Sequence, residues 1–262
     1  MIVLLTDFGQ SEYAGVMKGV IYSIDNDAKI VDLCHDISPQ NIIEASWILK
    51  NNYKYFPEGA VFCCVVDPGV GTQRKALAVK TEKFYFVAPD NGLLWETLGE
   101  QKVLDIRQIP VPEDASPPDA WRASRTFHGR DVFAKAAANI SQGRFETIGQ
   151  KIKKTVRQAH RGEQSRAIEK LELYLDGRTG IVVRIDSFGN IITNVAKLDK
   201  DKYAIESGDK KWTMRYHPNY DSAKEGELFL IEGSNNTLEI SLKNASANDK
   251  LQLKPGKRIS IS

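Results

Sequence analysis

Ile2-Val3-Leu4-Leu5-Thr6 is followed by Asp7-Phe8-Gly9-Gln10-Ser11, and then by Tyr13, Val16, Met17, Val20 and Ile21 at helical spacing. The unbroken apolar run suits a parallel strand covered on both faces. The polar turn after it suits a ligand-facing loop, and Ser11 stands where a helix N-cap belongs. The same strand, loop and helix recur as Ile30-Val31-Asp32-Leu33-Cys34, Ser38-Pro39 and a helix carrying Ile42, Ile43, Ala45, Trp47, Ile48 and Leu49. A third strand over 60–66 ends in Asp67-Pro68-Gly69-Val70-Gly71, further strands are expected at 76–79, 84–87 and 103–106, and a helix over 129–140. Strands alternating with helices predict an α/β class, an αβα domain over 1–150 with a largely parallel central sheet.

The pattern changes after Phe145. A Lys/Arg/Gln-rich stretch with little apolar face reads as a helix or linker, placed at 151–172. Short β-rich segments follow at 180–185, 191–194, 212–216, 228–231 and 238–242, separated by turn residues. They predict a smaller antiparallel β-barrel or sandwich over 173–262. No internal repeat or low-complexity tract is visible.

Composition narrows the function classes. With 42% hydrophobic residues over 262 positions the chain can bury a sizeable core, which argues against general disorder. Its 36 Lys+Arg nearly cancel 34 Asp+Glu, leaving +2, so there is no electrostatic case for a nucleic-acid partner. Every apolar run stops short of the roughly 18 residues of a membrane span, and no secretory pattern opens the sequence. A cytoplasmic protein without membrane association is expected. Cys34, Cys63 and Cys64 are odd in number, lie in apolar strand-like segments and lack zinc or redox spacing, so they read as buried free thiols.

In open α/β sheets ligands bind beyond the carboxyl ends of strands. Four segments fit: the loops carrying Asp7, Asp67 and Asp90-Asn91-Gly92, and Thr126-Phe127-His128-Gly129-Arg130-Asp131 at a helix start. Each strand-end Asp is either a turn or cap residue or part of a site. The loop 67–74 fails both the Walker pattern and the dinucleotide fingerprint, which needs a third glycine where Arg74 stands. Its glycines do permit Asp67 and Arg74 to meet, as a structural ion pair or as part of a site. His128 adds a group that titrates near neutrality, with a capping or core histidine as the alternative. His35, His160 and His217 are weaker candidates. Asp7, Asp67, Asp90, His128 and Asp131 have the residue types of a metal site but none of the HxxxH, HxH or DxD spacings, so no metal is expected.

Thr6-Asp7-Phe8-Gly9, Met17-Lys18-Gly19-Val20, Val66 to Thr72 with Arg74, Pro89-Asp90-Asn91-Gly92 and the segment 126–131 follow one another along the chain. Asp186-Ser187-Phe188-Gly189-Asn190 with Thr193-Asn194, and Ser234 ahead of Leu238-Glu239-Ile240, complete the set. With these motifs the sequence resembles the S-adenosylmethionine hydroxide adenosyltransferase family, relatives of fluorinating and chlorinating enzymes. The resemblance implies hydrolysis of S-adenosyl-L-methionine to adenosine and L-methionine by attack at the ribose C5′. It also implies no cofactor, and a homotrimer with active sites between subunits. It assigns Asp67, Arg74 and His128 as a water-activating triad. Asp7 would hold the ribose, with Phe8 and Glu12 also against substrate; Asn190 and backbone near Ala247 would read adenine; Phe188 and Tyr220 would offer aromatic surface; Asp186 and Ser234 would meet the amino-acid end.

Two departures stand out: Glu12 where the family usually has Asp, and Ala245-Ser246-Ala247-Asn248 where a Gly-Asn-Ala-Ala stretch is common. Halide-dependent adenosyl transfer is disfavoured, because a carboxylate at residue 67 repels a halide. A protein that binds and senses S-adenosylmethionine or adenosine, with incidental turnover, is the alternative from another class. A metal-dependent hydrolase is a further one.

Overall fold

The structure, a computed structural model, describes residues 1–111, 124–152, 168–171 and 173–262. It divides into two compact units, Met1–Leu171 and Glu172–Ser262. The first contains β1 (Ile2–Thr6), α1 (Tyr13–Ile24), β2 (Ile30–Cys34), α2 (Ile42–Asn52), β3 (Val61–Val65), β4 (Ala76–Thr81), β5 (Tyr85–Pro89), α3 (Trp95–Gly99) and β6 (Val103–Ile109). A π-helical turn (Gly129–Phe133) then runs into α4 (Ala134–Ser141), and β7 (Gln150–Lys151) closes the unit.

The sheet order is β2-β1-β3-β5-β4-β6-β7. The pairs β2–β1, β1–β3 and β3–β5 are parallel, whereas β4 runs against both β5 and β6, and β7 against β6. Period-two alternation sends successive strand residues to opposite faces. Val3, Leu5, Phe62, Cys64, Leu77 and Phe86 pack under α2 and α3 with Ala45, Leu49 and Leu98. Ile2, Leu4, Val61, Cys63, Ala78 and Val87 pack on the other face with Met17, Ile21, Phe133 and Ala137. The expected αβα layering around a largely parallel sheet is therefore present, with β4 and β7 reversed.

Ser11 does not cap α1. Its hydroxyl donates to the Phe8 carbonyl at 2.7 Å, inside the loop, and Glu12 occupies the cap position without a side-chain bond. α2 has the capping instead: Asn41 Oδ1 accepts from Glu44 N at 3.1 Å, and the Glu44 carboxylate accepts from Ser38 N at 3.1 Å. Cys63 and Cys64 are buried thiols, while Cys34, also outside any disulfide, is only partly buried, because β2 is the outermost strand of the sheet among the described residues. Of the polar stretch 151–172, residues 153–167 and 172 lie outside the described residues; Lys151 pairs with Arg107 in the sheet and Ile168 is buried. No helix among the described residues is long and apolar enough to cross a membrane.

The second unit contains β8 (Thr179–Ile185), β9 (Ile191–Ala196), β10 (Lys202–Ser207), β11 (Lys210–Tyr216), β12 (Leu228–Glu232), β13 (Thr237–Leu242), α5 (Ala247–Leu251) and β14 (Arg258–Ile261). The strands close into a barrel in the order β10-β11-β12-β13-β9-β8-β14, which leaves no unpaired sheet edge. The barrel alternative is thus realised, but it is mixed: β11 and β12 are parallel, since residues 217–227 cross over instead of making a hairpin. Val182, Ile191, Tyr203, Ile205, Met214, Leu230, Leu238, Ile240 and Ile261 fill its interior.

At one end of the barrel Asn194 takes the place of missing backbone partners. Its Oδ1 accepts from Ile181 N at 2.7 Å and its Nδ2 donates to the Tyr174 carbonyl at 2.9 Å. Gly180 makes this possible, because a Cβ there would collide with Asn194 Oδ1. Asn194→Ala strands a buried N–H and is expected to cost about 1–3 kcal/mol of unfolding free energy in urea titrations. Gly180→Ala unseats the same amide, so the double variant is expected to cost less than the sum of the single ones. Strict additivity would show that the two residues do not act together.

Candidate active site

Because β4 runs backwards, the loop 67–75 leaves the sheet at the carboxyl end of β3 and re-enters at that same edge. Ala76 lies opposite Pro89, the last residue of β5. Asp67 and Arg74 are therefore both delivered to the edge at which Asp7 follows β1. The loop is a succession of tight turns: Val70 N donates to the Asp67 carbonyl at 3.2 Å, and Thr72 N and Oγ1 donate to the Gly69 carbonyl at 3.1 and 2.6 Å. Gly71 has φ +76°, and a Cβ on it would run into the Arg125 carbonyl. The glycines serve to fold Arg74 back beneath the loop, and a Cβ on Gly69 would stand 3.2 Å from Arg74 Cγ.

Arg74 Nε donates to Asp67 Oδ1 at 2.9 Å and Oδ2 at 3.0 Å, and its Nη2 donates to Oδ2 as well. The same Nη2 stands 2.7 Å from His128 Nδ1, and the guanidinium lies 5.3 Å from the Phe133 ring centroid. Both side chains of the ion pair are more than nine-tenths buried. A guanidinium only donates, so Nδ1 accepts and the imidazole proton resides on Nε2. Burial, and then the Arg74 charge, hold His128 below its ordinary value against the opposing pull of Asp67 and Asp131. The histidine is thereby a neutral donor at Nε2. Arg74 Nη1 is buried and, among the described residues, has no hydrogen-bond partner, which leaves a second donor unspent.

Neighbouring groups position these three. Asp131 is a fully buried carboxylate that accepts from Arg130 Nε at 2.6 Å, Arg130 Nη2 at 2.9 Å and Ser124 N at 2.6 Å. Burial raises its pKa, but Arg130 and the Ser124 amide outweigh that and hold it below the usual carboxylate range. It orders the segment that carries His128. Asp7 accepts from Gln40 N at 2.8 Å, and burial, aided by Asp67, pushes its carboxyl up. Phe8, Tyr13 and Phe127 form an edge-to-face cluster with centroids 4.9–5.9 Å apart. Glu12 is exposed at the start of α1.

Other candidates have structural partners. Asp90 Oδ1 accepts from Glu169 N at 2.7 Å, and Asn91 Nδ2 donates to the Val66 carbonyl at 2.9 Å. His35 joins the ends of β1 and β2, with Nδ1 2.7 Å from Thr6 Oγ1 and Nε2 3.0 Å from Asp32. His217 meets Glu227 at 3.2 Å, and His160 lies outside the described residues. Among the described residues no three His, Cys, Asp or Glu side chains are grouped to hold a metal ion.

In the second unit, Asp186 organises the β8–β9 turn. Its Oδ1 accepts from Phe188 N and Asn190 N, and its Oδ2 from Asn190 Nδ2, each at 2.9 Å. This presents Phe188 at the tip, 79% exposed. Asn248 N donates to the Gly189 carbonyl at 3.0 Å, bringing the start of α5, with buried Ala247, against the same turn. Ser234 lies in the β12–β13 turn, and Tyr220 is half-exposed with its ring 6.0 Å from that of Phe229. The structure thus gathers Asp67, Arg74 and His128 beside Asp7 in one unit, and Asp186, Phe188, Asn190 and Ala247 around one turn in the other. Phe133 beneath Arg74 was missed by sequence reasoning, since its spacing looks like ordinary core, and Asp131, grouped there with possible metal ligands, instead clamps Arg130 and the Ser124 amide.

Residues 2–149 match the family model described as the SAM hydroxide adenosyltransferase N-terminal domain, and residues 180–260 match that of its C-terminal domain. A Thermus thermophilus protein named (R)-S-adenosyl-L-methionine hydrolase is 33% identical, over 97% of this chain and 96% of its own. One of the same name from Methanocaldococcus jannaschii is 36% identical over 75% of this chain and 67% of its own. The crystal structure of an uncharacterized conserved protein from Thermotoga maritima superposes with a TM-score of 0.84 at 34% identity, covering all of both chains.

The imidazole assignment has a direct readout. Nitrogen-15 NMR is expected to show His128 as the Nε2–H tautomer at neutral pH, titrating below the usual 6.5. Where neutral His128 is required, the acid limb of kcat/KM falls at that same depressed value. A midpoint at or above 6.5, or an Nδ1–H tautomer, would refute the assignment.

Proposed function

This chain belongs to the SAM hydroxide adenosyltransferase family, and we propose that it hydrolyses S-adenosyl-L-methionine to adenosine and L-methionine. The observation that carries this reading is the Arg74 guanidinium held between the Asp67 carboxylate and His128 Nδ1. A water oxygen placed against His128 Nε2–H meets a donor of fixed direction, which favours hydroxide character and sets the line of approach, while Arg74 on the other ring nitrogen holds that donor in place. The C5′–O bond forms as the C5′–S bond breaks, and sulfur keeps the electron pair. Methionine therefore departs as a neutral thioether and needs no general acid. The sulfonium charge is released as one proton from the attacking water. Asp67 neutralises Arg74 and fixes the plane of its fork, and its carboxylate disfavours a halide in place of water.

The remaining assignments follow the family resemblance. Asp7, with one carboxylate oxygen on the Gln40 amide, offers the other to the ribose hydroxyls. Phe8 and Glu12 lie on the loop beside it. Asn190 and the backbone at Ala247 read the adenine edge, Phe188 and Tyr220 cover the adenosine, and Asp186 and Ser234 meet the amino-acid end. The exposed Phe188 supports a site completed by another surface, and we propose a homotrimer whose sites form between the 1–150 domain of one subunit and the 173–262 domain of the next. The free cysteines fit a cytoplasmic setting.

The test is product analysis with purified, chelator-treated protein and S-adenosylmethionine, with and without chloride. Equimolar adenosine and methionine are expected, with no chlorinated nucleoside. Asp67→Asn, Arg74→Ala and His128→Ala are each expected to lower kcat by about 10²–10⁴-fold with little change in KM. Tight adenosine binding without turnover would instead support a sensor, and activity lost on chelation and regained with metal would support a metal hydrolase.

A further inference from the structure

Glu239 is a buried carboxylate for which the catalytic scheme has no use. It lies in β13 between Leu238 and Ile240, both of which point into the barrel, so alternation turns Glu239 to the outer wall. Its cross-strand neighbours there are Ile231 on β12 and Ile192 on β9, both apolar. It is nevertheless 9% exposed, and among the described residues no group donates a hydrogen bond to it. Its carboxyl fills the space that a side chain at residue 233 would need, directly before Ser234.

A buried carboxylate without donors is costly unless a cation meets it. The charged and titratable groups around it are Asp186, Arg184 and Tyr220. Burial, and then Asp186, push the Glu239 carboxyl up to about 7, with Arg184 pulling the other way. Burial, and then Glu239, also push up the Tyr220 phenol, and Asp186 adds to it. Two carboxyls and one phenol thus share a small region of the barrel wall. Asp186 already accepts three hydrogen bonds from its own turn, whereas the acceptor capacity of Glu239 is unspent.

We propose that Glu239, acting with Asp186, accepts the α-ammonium group of the bound substrate, and that it selects ligands carrying an intact amino-acid end. The proposal rests on the reading of the chain as an S-adenosylmethionine hydrolase. It distinguishes the two cations of that substrate. The sulfonium must stay beside the attacked C5′ and the water that His128 holds. The ammonium is the cation with three N–H donors, and it suits two carboxylates. Ser234 follows Gly233, against which the Glu239 carboxyl packs, so the residue that the family resemblance gives to the amino-acid end is its neighbour. An ammonium arriving at a protonated Glu239 displaces the proton, so affinity rises with pH through the Glu239 titration.

The test compares wild type with Glu239→Gln, which keeps shape and removes charge, after thermal melts confirm that the variant folds. Calorimetric binding is measured for S-adenosylmethionine, its deamino analogue and adenosine, together with KM and kcat between pH 5.5 and 8.5. The variant is expected to bind S-adenosylmethionine at least tenfold more weakly while adenosine affinity stays within twofold. Its preference for S-adenosylmethionine over the deamino analogue is expected to collapse. In wild type KM should fall as pH rises through about 7, and in the variant that slope should vanish while kcat changes little. Equal losses for adenosine and S-adenosylmethionine, or no loss for either, would overturn the role of Glu239 and leave the hydrolase reading standing. Failure of wild type to bind S-adenosylmethionine at all would overturn both.

Discussion

A guanidinium donates and never accepts, and Arg74 uses that asymmetry on two partners at once. One edge of its fork is taken by Asp67, and the nitrogen at the corner also reaches His128 Nδ1. The first contact fixes where the charge sits, and the second fixes which imidazole nitrogen carries the proton. Much of the N-terminal unit is arranged around this. The reversed strand β4 returns the chain to the edge it left, Gly71 allows the loop to pass the Arg125 carbonyl, and Asp131 secures the segment bearing His128. Lysine at residue 74 would bring charge without the planar fork and could not hold both neighbours in one geometry.

The barrel unit solves a different problem. A closed sheet has no free edge, so the groups that project from it come from turns and from the outer wall. Asp186 tightens the β8–β9 turn until Phe188 stands out from it, and Gly189 leaves room for Ser246 at the head of α5. The turn is rigid because one carboxylate binds three donors within five residues. Neighbouring Glu239 is the contrary case, a carboxylate that the fold buries and to which no group among the described residues donates.

The parts legible in the sequence were those with a local signature. Apolar runs ending in Asp-containing turns mark β1, β3 and β5 and the sheet edge they share, the glycines of 67–74 allow Asp67 and Arg74 to meet, and only the family resemblance joins His128 to them. What escaped depends on tertiary choices. Ser11 resembles a cap, yet its hydroxyl has a nearer acceptor in Phe8. Residues 76–81 read equally well as a parallel or a reversed strand, because both faces are buried and no alternation distinguishes them. The parallel pairing of β11 with β12 depends on the path of 217–227 and not on either strand. Glu239 looks like any outward strand residue, since nothing in Leu-Glu-Ile-Ser-Leu indicates that the outer wall is covered there.

The adjacent cysteines of β3 project to opposite faces of the sheet, each into a sealed apolar layer. Burial pushes the Cys63 thiol up to about 12 and Cys64 well above its ordinary value. At neutral pH both therefore stay thiols, and the thiolate is the form that oxidants attack. Side chains on opposite faces of one strand also cannot close a vicinal disulfide. The strand that delivers Asp67 to the sheet edge therefore carries two sulfurs that are chemically silent, and swings in redox potential have no handle on the centre of the sheet.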